Sequence, residues 1–156
     1  MRLIVDNEFL PQAIDLVKSA QRSIDLASFK LEWTTKPRGK VLLDFWKIIV
    51  ELARQKITAR VLLNWNDDKR SVAKTNLYCM RELKGWGVDV RFLRNNRCCH
   101  AKIILVDKRE AIIGSHNFSV RSCHNNFEVS LRTQERVIIQ PLIDVFERSF
   151  YDAQKY

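Results

Sequence analysis

His100 to Glu128 reads HAKIILVDKREAIIGSHNFSVRSCHNNFE, and the rest of the chain is organised around it. Lys102 to Val106 and Ala111 to Ile113 are apolar, β-branched runs that flank the polar Asp107-Lys108-Arg109-Glu110, a pattern that predicts a hairpin. A loop confined to Lys108-Arg109 sets Asp107 opposite Glu110, Lys102 opposite Ser115 and His100 opposite Asn117. Side chains alternate along a strand, so His100 and Lys102 share a face, and opposed residues approach to about 5 Å. Asp107 is an odd number of residues from Lys102 and points the other way, as a turn residue and not a catalytic acid. Lys-Arg is neither the Asn-Gly nor the Asp-Gly that such short turns favour, and a longer loop shifts the register.

The gathered His, Lys, Ser and Asn suit phosphoryl chemistry. A neutral imidazole attacks phosphorus and holds it covalently. Lys102 and the Asn117 amide supply donors for the non-bridging oxygens, with Ser115 in support. Gly114 allows close approach of the backbone. Glu128 lies in the strand expected over Phe127 to Arg132, where a carboxylate beside an imidazole fixes its tautomer and stabilises its charged form.

The 156 residues suit one domain, 1–156, with room for a sizeable core. A net charge of +9 implies an anionic partner, either nucleic acid or an acidic membrane surface. Acidic residues by position 6 exclude a signal peptide, and no apolar run is long enough for a membrane span, so no stable membrane anchor is expected. Cys79, Cys98, Cys99 and Cys123 lack the paired spacing of zinc ligands and suit a reducing compartment, with the cytoplasm as default.

Ahead of the hairpin, helices alternate with strands. Arg2 to Val5 is a short strand, and a helix follows with Phe9, Ala13, Ile14, Val17 and Ala20 on one stripe. Ser23 to Leu31 is a central strand. Glu32 to Lys40 is a basic loop whose Lys36 and Arg38 either hold phosphate beside a base stacked on Trp33 or are simply solvated. A helix spans about 40–55, a strand 57–63, a helix 71–84 and a strand 88–93. Asp67-Asp68 reads as helix capping or a solvated loop, not a metal site. Arg91, Arg94 and Arg97 form either a phosphate track leading to His100 or an ordinary solvated strand end. A closing helix runs from Pro141 to about Tyr151. Helices alternating with strands predict an α/β fold, a three-layer α-β-α sandwich on a mixed, largely parallel sheet.

His100-x-Lys102, Asp107 and Gly114-Ser115-x-Asn117 together resemble the HKD signature of the phospholipase D superfamily. The SIDLASF strand and the helix–strand alternation extend the resemblance over nearly the whole chain. Length and a single motif look like the small bacterial-type endonuclease branch. That likeness implies a phospholipase D-like fold and a homodimer that pairs two motifs at one site. It also implies a Glu that acts on the motif His, a role that falls to Glu128. No cofactor and no metal is implied. One His100 bonded to phosphorus cannot also protonate the leaving oxygen, and a two-fold axis supplies a second.

Three function classes follow. A nuclease fits the net charge and the arginine run. A lipid hydrolase or phosphatidyl transferase on anionic phospholipid is the alternative. A nucleic-acid-binding module with a decayed site is disfavoured by the intact motif. DNA or RNA, single- or double-stranded, stays open at this point.

Overall fold

Ser23–Ser28 (β2) is buried along nearly its whole length, and the sheet is built outward from it. The computed structural model describes residues 1–65, 70–93 and 97–155. Asp67, Asp68 and Arg94, weighed above as functional candidates, lie outside the described residues. The other strands are Arg2–Val5 (β1), Thr58–Asn64 (β3), Asp89–Leu93 (β4), Ile103–Val106 (β5), Glu110–Gly114 (β6), Val129–Thr133 (β7) and Gln154–Lys155 (β8). Helices cover Phe9–Lys18 (α1), Lys40–Arg54 (α2), Arg70–Gly85 (α3), Val120–His124 (α4) and Arg136–Tyr151 (α5).

The strands form one sheet in the order β1-β7-β6-β5-β2-β3-β4-β8. It is mixed, as expected, but only β2-β3-β4 is parallel; every other pairing is antiparallel. The reason is connectivity. α2 and α3 carry the chain back between the neighbouring strands β2, β3 and β4 and leave them parallel, whereas β5 and β6 are joined by a tight turn and β7 returns beside β6 in the opposite direction.

Both faces of β2 are covered. Ile24 and Leu26 face a core shared with α1, α2 and α3, where Phe45, Trp46 and Phe118 are fully buried. Burying each such side chain contributes roughly 1.5–3 kcal/mol. Ala27 faces the other core, under α5, with Leu62, Leu105, Phe146 and Phe150. Asp25 points to this side too, and Arg60 donates to its two oxygens from Nε and Nη2 at 2.7 and 2.9 Å. Arg60 also binds Glu147 on α5, so a chain of ion pairs ties that helix to the sheet.

Several boundaries differ from the expectation. β2 stops at Ser28, where Ser28 Oγ donates to Lys30 O and turns the chain away. The closing helix starts at Arg136, a turn and more before Pro141. Proline here removes only an N–H directed at Val137, whose side chain is on the exposed side of the first turns.

The hairpin register is one residue away from the expected one. Val106 pairs with Glu110 and Ile103 with Ile113, so the loop is Asp107-Lys108-Arg109. Asp107 and Lys108 take positive φ, 51° and 55°. Asp107 is held there by contacts distant in sequence: its carboxylate accepts from the backbone N–H groups of Gln21, Arg22 and Ser23 at 2.8–2.9 Å, and its own N–H donates to Ser23 O. His100 therefore does not stand opposite Asn117 in a ladder, nor Lys102 opposite Ser115. All four lie just beyond the strand ends.

Candidate active site

The chain enters or leaves four neighbouring strands at one rim of the sheet. His100 and Lys102 lead into β5, Ser28 to Lys30 follow β2, Ser115 and Asn117 follow β6, and Glu128 leads into β7. β5 is antiparallel to β2 and β6, and β7 antiparallel to β6, so these ends coincide. Gly114 makes the crossing possible. Its N–H donates to Lys102 O, and a Cβ there would drive into the backbone of Val129 and Ser130.

Lys102 is buried to 8% exposure, with its Nζ 3.1 Å from His100 Nδ1 and donating to His100 O at 2.7 Å. Burial pushes the Lys102 ammonium below the ordinary lysine range, against the opposing charge of Glu128. Phe29 packs beneath both groups: its ring lies 5.2 Å from the exposed His100 ring and 5.6 Å from Lys102 Nζ.

Asn117 is positioned at both ends. Its Oδ1 accepts from Lys30 N–H at 3.3 Å and faces Ser28 Oγ at 3.5 Å, while its own N–H donates to Ser122 Oγ. That hydroxyl in turn donates to Glu128 Oε1 at 2.8 Å, and Asn126 Nδ2 donates to the same oxygen. Burial of Glu128 works against its charge, but hydrogen bonds from Ser115, Asn126 and Ser122 outweigh it and hold the carboxyl below its usual range. Ser115 Oγ also accepts from Val129 N–H, which locks the start of β7 to the motif.

The expected binding residues separate. Lys36 and Arg38 are exposed on the loop after β2, and Arg97 is exposed in the segment leading to His100. Arg91 is not brought to the rim. Its guanidinium binds Asp89 and Phe150 O and lies 4.2 Å over the Phe150 ring, on the α5 side.

Other residues at the rim carried no obvious sequence signal. Ser122 caps the link between Asn117 and Glu128 from a five-residue helix too short to show periodicity. His116, inside the motif, is fully buried, stacked on Phe9 and bonded to Ser130 Oγ and Asp6 O. Burial keeps its pKa below the ordinary histidine value, so it braces the motif loop as a neutral ring. Buried Asn64 accepts from Cys99 N–H and Asn76 spans Phe29 O, Leu31 N and Asn64 O, which fixes the segment that presents His100. Among the described residues, no three His, Cys, Asp or Glu side chains gather closely enough to hold a metal ion. Nor is any described helix long and apolar enough to cross a membrane.

The sequence profile of the family described as cardiolipin synthase, PLD-like domain, matches residues 13–150. The cardiolipin synthase of Halalkalibacterium halodurans is 33% identical over 115 residues, which is 74% of this chain and 21% of that protein. Cardiolipin synthase 2 of Bacillus cereus is 29% identical over 140 residues, 90% of this chain and 26% of that protein. The chain thus spans about a quarter or less of the length of these relatives. In fold it is similar to Nuc from Salmonella typhimurium, a phospholipase D family member, with a TM-score of 0.81 at 16% identity, covering 99% of this chain and 97% of that one. NucT from Helicobacter pylori gives 0.76 at 17% identity, covering 99% and 98%. A profile that spans nearly the whole chain, with H-x-K and G-S-x-N meeting at one rim, means that the chain belongs to the phospholipase D-like family.

Proposed function

We propose that this chain is a metal-independent nuclease that cleaves phosphodiesters of DNA or RNA through a phosphohistidine on His100, at a site completed by a second copy. The observation that carries the reading is the convergence of His100, Lys102, Ser115, Asn117 and Glu128 at one rim. Nucleic acid is favoured by the +9 charge and by exposed Lys36, Arg38 and Arg97 around the rim. Four unpaired thiols fit the cytoplasm.

The chemistry follows from the contacts. An attacking ring nitrogen needs a free lone pair. With the Lys102 ammonium donating to Nδ1, the proton of the neutral ring sits on Nε2 and neither nitrogen is available. A bound phosphodiester draws Lys102 to its non-bridging oxygens, Nδ1 takes the proton and Nε2 attacks. The P–N bond forms as the P–O bond to the leaving group breaks. His100 of the partner subunit gives that oxygen its proton, then takes one from the water that displaces His100 and releases a phosphomonoester. Asn117 Oδ1 is held by the β2 turn, so its NH2 end is the donor for the pentavalent transition state. Glu128 stabilises the cationic ring.

A second copy has a surface to meet. On the α5 side of the sheet, Leu3 and Val129 are 60% and 37% exposed on adjacent strands, next to Ser115 and Glu128. An apolar sheet face beside a polar site is suited to closure by a two-fold partner.

Relatedness to the cardiolipin synthases favours a second reading, phosphatidyl transfer on anionic lipid. Assays on DNA, RNA and phosphatidylglycerol or cardiolipin vesicles, side by side in chelator, separate the two. The nuclease reading expects cleavage of nucleic acid alone, undiminished by EDTA. Turnover of lipid without nucleic acid, or cleavage restored only by Mg²⁺, overturns it.

A further inference from the structure

Phe127, one residue before Glu128, is 83% exposed, the most exposed large apolar side chain among the described residues. A ring this open has no part in either core, yet the loop that carries it is tightly held. The N–H groups of Asn125 and Asn126 both donate to Arg121 O, Asn126 Oδ1 accepts from Arg121 Nε, and Asn126 Nδ2 donates to Glu128. A rigid, exposed aromatic anchored to the rim is a platform, not a loose end.

Two adjoining depressions meet at this loop. One, of about 420 Å³, is walled by Asp6, Asn7 and Phe127; the other, of about 260 Å³, by Arg38; both share His124 and Asn125. The Asp6 carboxylate is already engaged by the N–H of Glu128, so the cationic Arg38 side is the one open to an anion. The exposed amides of Asn7 and Asn125 each offer a donor and an acceptor, the complement of a base edge.

We propose that this groove takes a single strand of nucleic acid, with one unpaired base stacked on Phe127 and a neighbouring phosphate held at Arg38. The inference rests on the nuclease reading and sharpens it to an unpaired substrate. In a duplex, both faces of every internal base are covered by stacking, and a ring approaching from outside finds none free. Single strands offer their faces, and aromatic platforms beside basic grooves are how proteins hold them without regard to sequence. Because Glu128 follows Phe127 directly, a base seated there lies beside the rim where the scissile phosphate is held.

The test uses the full chain carrying His100→Ala, which prevents turnover, and fluorescence anisotropy with a labelled oligothymidylate of about a dozen nucleotides, within the reach of such platforms. A hairpin duplex of equal length and cardiolipin vesicles are run in parallel. Adding Phe127→Ala is expected to weaken single-strand binding about 5- to 100-fold, the range of one lost stack, while duplex and vesicle binding change by less than about twofold. Phe127→Trp restores the affinity. Arg38→Ala weakens both nucleic acids and lowers the slope of log affinity against log salt by about one. Unchanged single-strand affinity in Phe127→Ala overturns the proposal. So does its dissociation to monomers in sedimentation, which makes Phe127 a subunit contact, or a loss confined to vesicles, which makes it a membrane anchor. If the parent binds vesicles and no nucleic acid, the nuclease reading itself fails, and this inference with it.

Discussion

The two ends of the β5–β6 hairpin use their polar residues in opposite ways. At the turn end, Asp107, Lys108 and Glu110 each have a fixed partner within the fold. Asp107 is spent on three backbone N–H groups, Glu110 on Arg132 and Gln134, and Lys108 on Glu147, which in turn holds Arg60 and, through it, Asp25. At the open end, His100 and Ser115 are exposed, and Lys102 is a buried cation whose charge is disfavoured there. Charges matched by fixed partners stabilise a fold; exposed groups beside a buried cation whose charge is disfavoured are placed to meet an anionic substrate. One motif supplies both ends; the proposed mechanism assigns its histidine, lysine and asparagine to chemistry, while its aspartate is tied into the fold.

Substitutions at the two ends should therefore fail differently. His100→Ala, Lys102→Ala or Asn117→Ala is expected to lower kcat by roughly 10²–10⁴-fold with the melting temperature nearly unchanged, since each removes a group acting in the transition state. Stopped assays on a natural phosphodiester, paired with thermal melts, check this. A kcat within a few-fold of wild type for any of the three would dissolve the contrast.

Asp107→Ala should do the reverse. It removes three charge-assisted hydrogen bonds and leaves alanine at positive φ, a loss on the order of 3 kcal/mol in urea titrations, with activity per folded molecule retained. Folded but inactive Asp107→Ala would move the aspartate to the catalytic end.

Acid sharpens the same contrast. The Arg60 guanidinium beside Glu147 pulls its carboxyl down to about 2. A folded pKa below the unfolded value contributes stability that is present above the unfolded value near 4.5 and is lost as pH falls towards 2. Glu147→Gln should cost about 2 kcal/mol at pH 7 and almost nothing near pH 2, measured by denaturant midpoints across that window. Equal losses at both ends of the window would mean that the helix is held by packing alone.

The smallest effect concerns the partner. Mixing wild type with His100→Ala in equal amounts leaves roughly a quarter of dimers fully wild type. If each site needs a histidine from both chains, activity on a natural phosphodiester follows the square of the wild-type fraction. A straight line, after complete exchange, would return the site to one chain.

Much of the open end was legible because its residues are set by chemistry at short spacing: H-x-K and G-S-x-N place their side chains at one rim whichever register the hairpin takes. The register itself was not legible. Asp107 and Lys108 adopt positive φ because Gln21, Arg22 and Ser23, distant in sequence, draw the carboxylate in, and no local propensity reports that. The placing of β5 beside β2, which makes most of the sheet antiparallel, is likewise a long-range choice. Arg91 read as a phosphate ligand because charge alone does not reveal that the strand turns it under α5, onto Phe150. Pro141 hid the first turn of α5 because proline marks helix starts more often than helix interiors.

The account turns on a covalent bond from His100 to phosphorus. Rapid acid-free quenching of wild-type protein with a phosphate-labelled oligonucleotide in EDTA, followed by peptide mass analysis under alkaline conditions, reads it directly. The mechanism predicts an adduct on the peptide carrying His100 in which phosphorus still bears the retained nucleotide, stable to base, lost in acid and absent from His100→Ala. Full turnover with no adduct on that peptide, or an adduct that persists in His100→Ala, would contradict it.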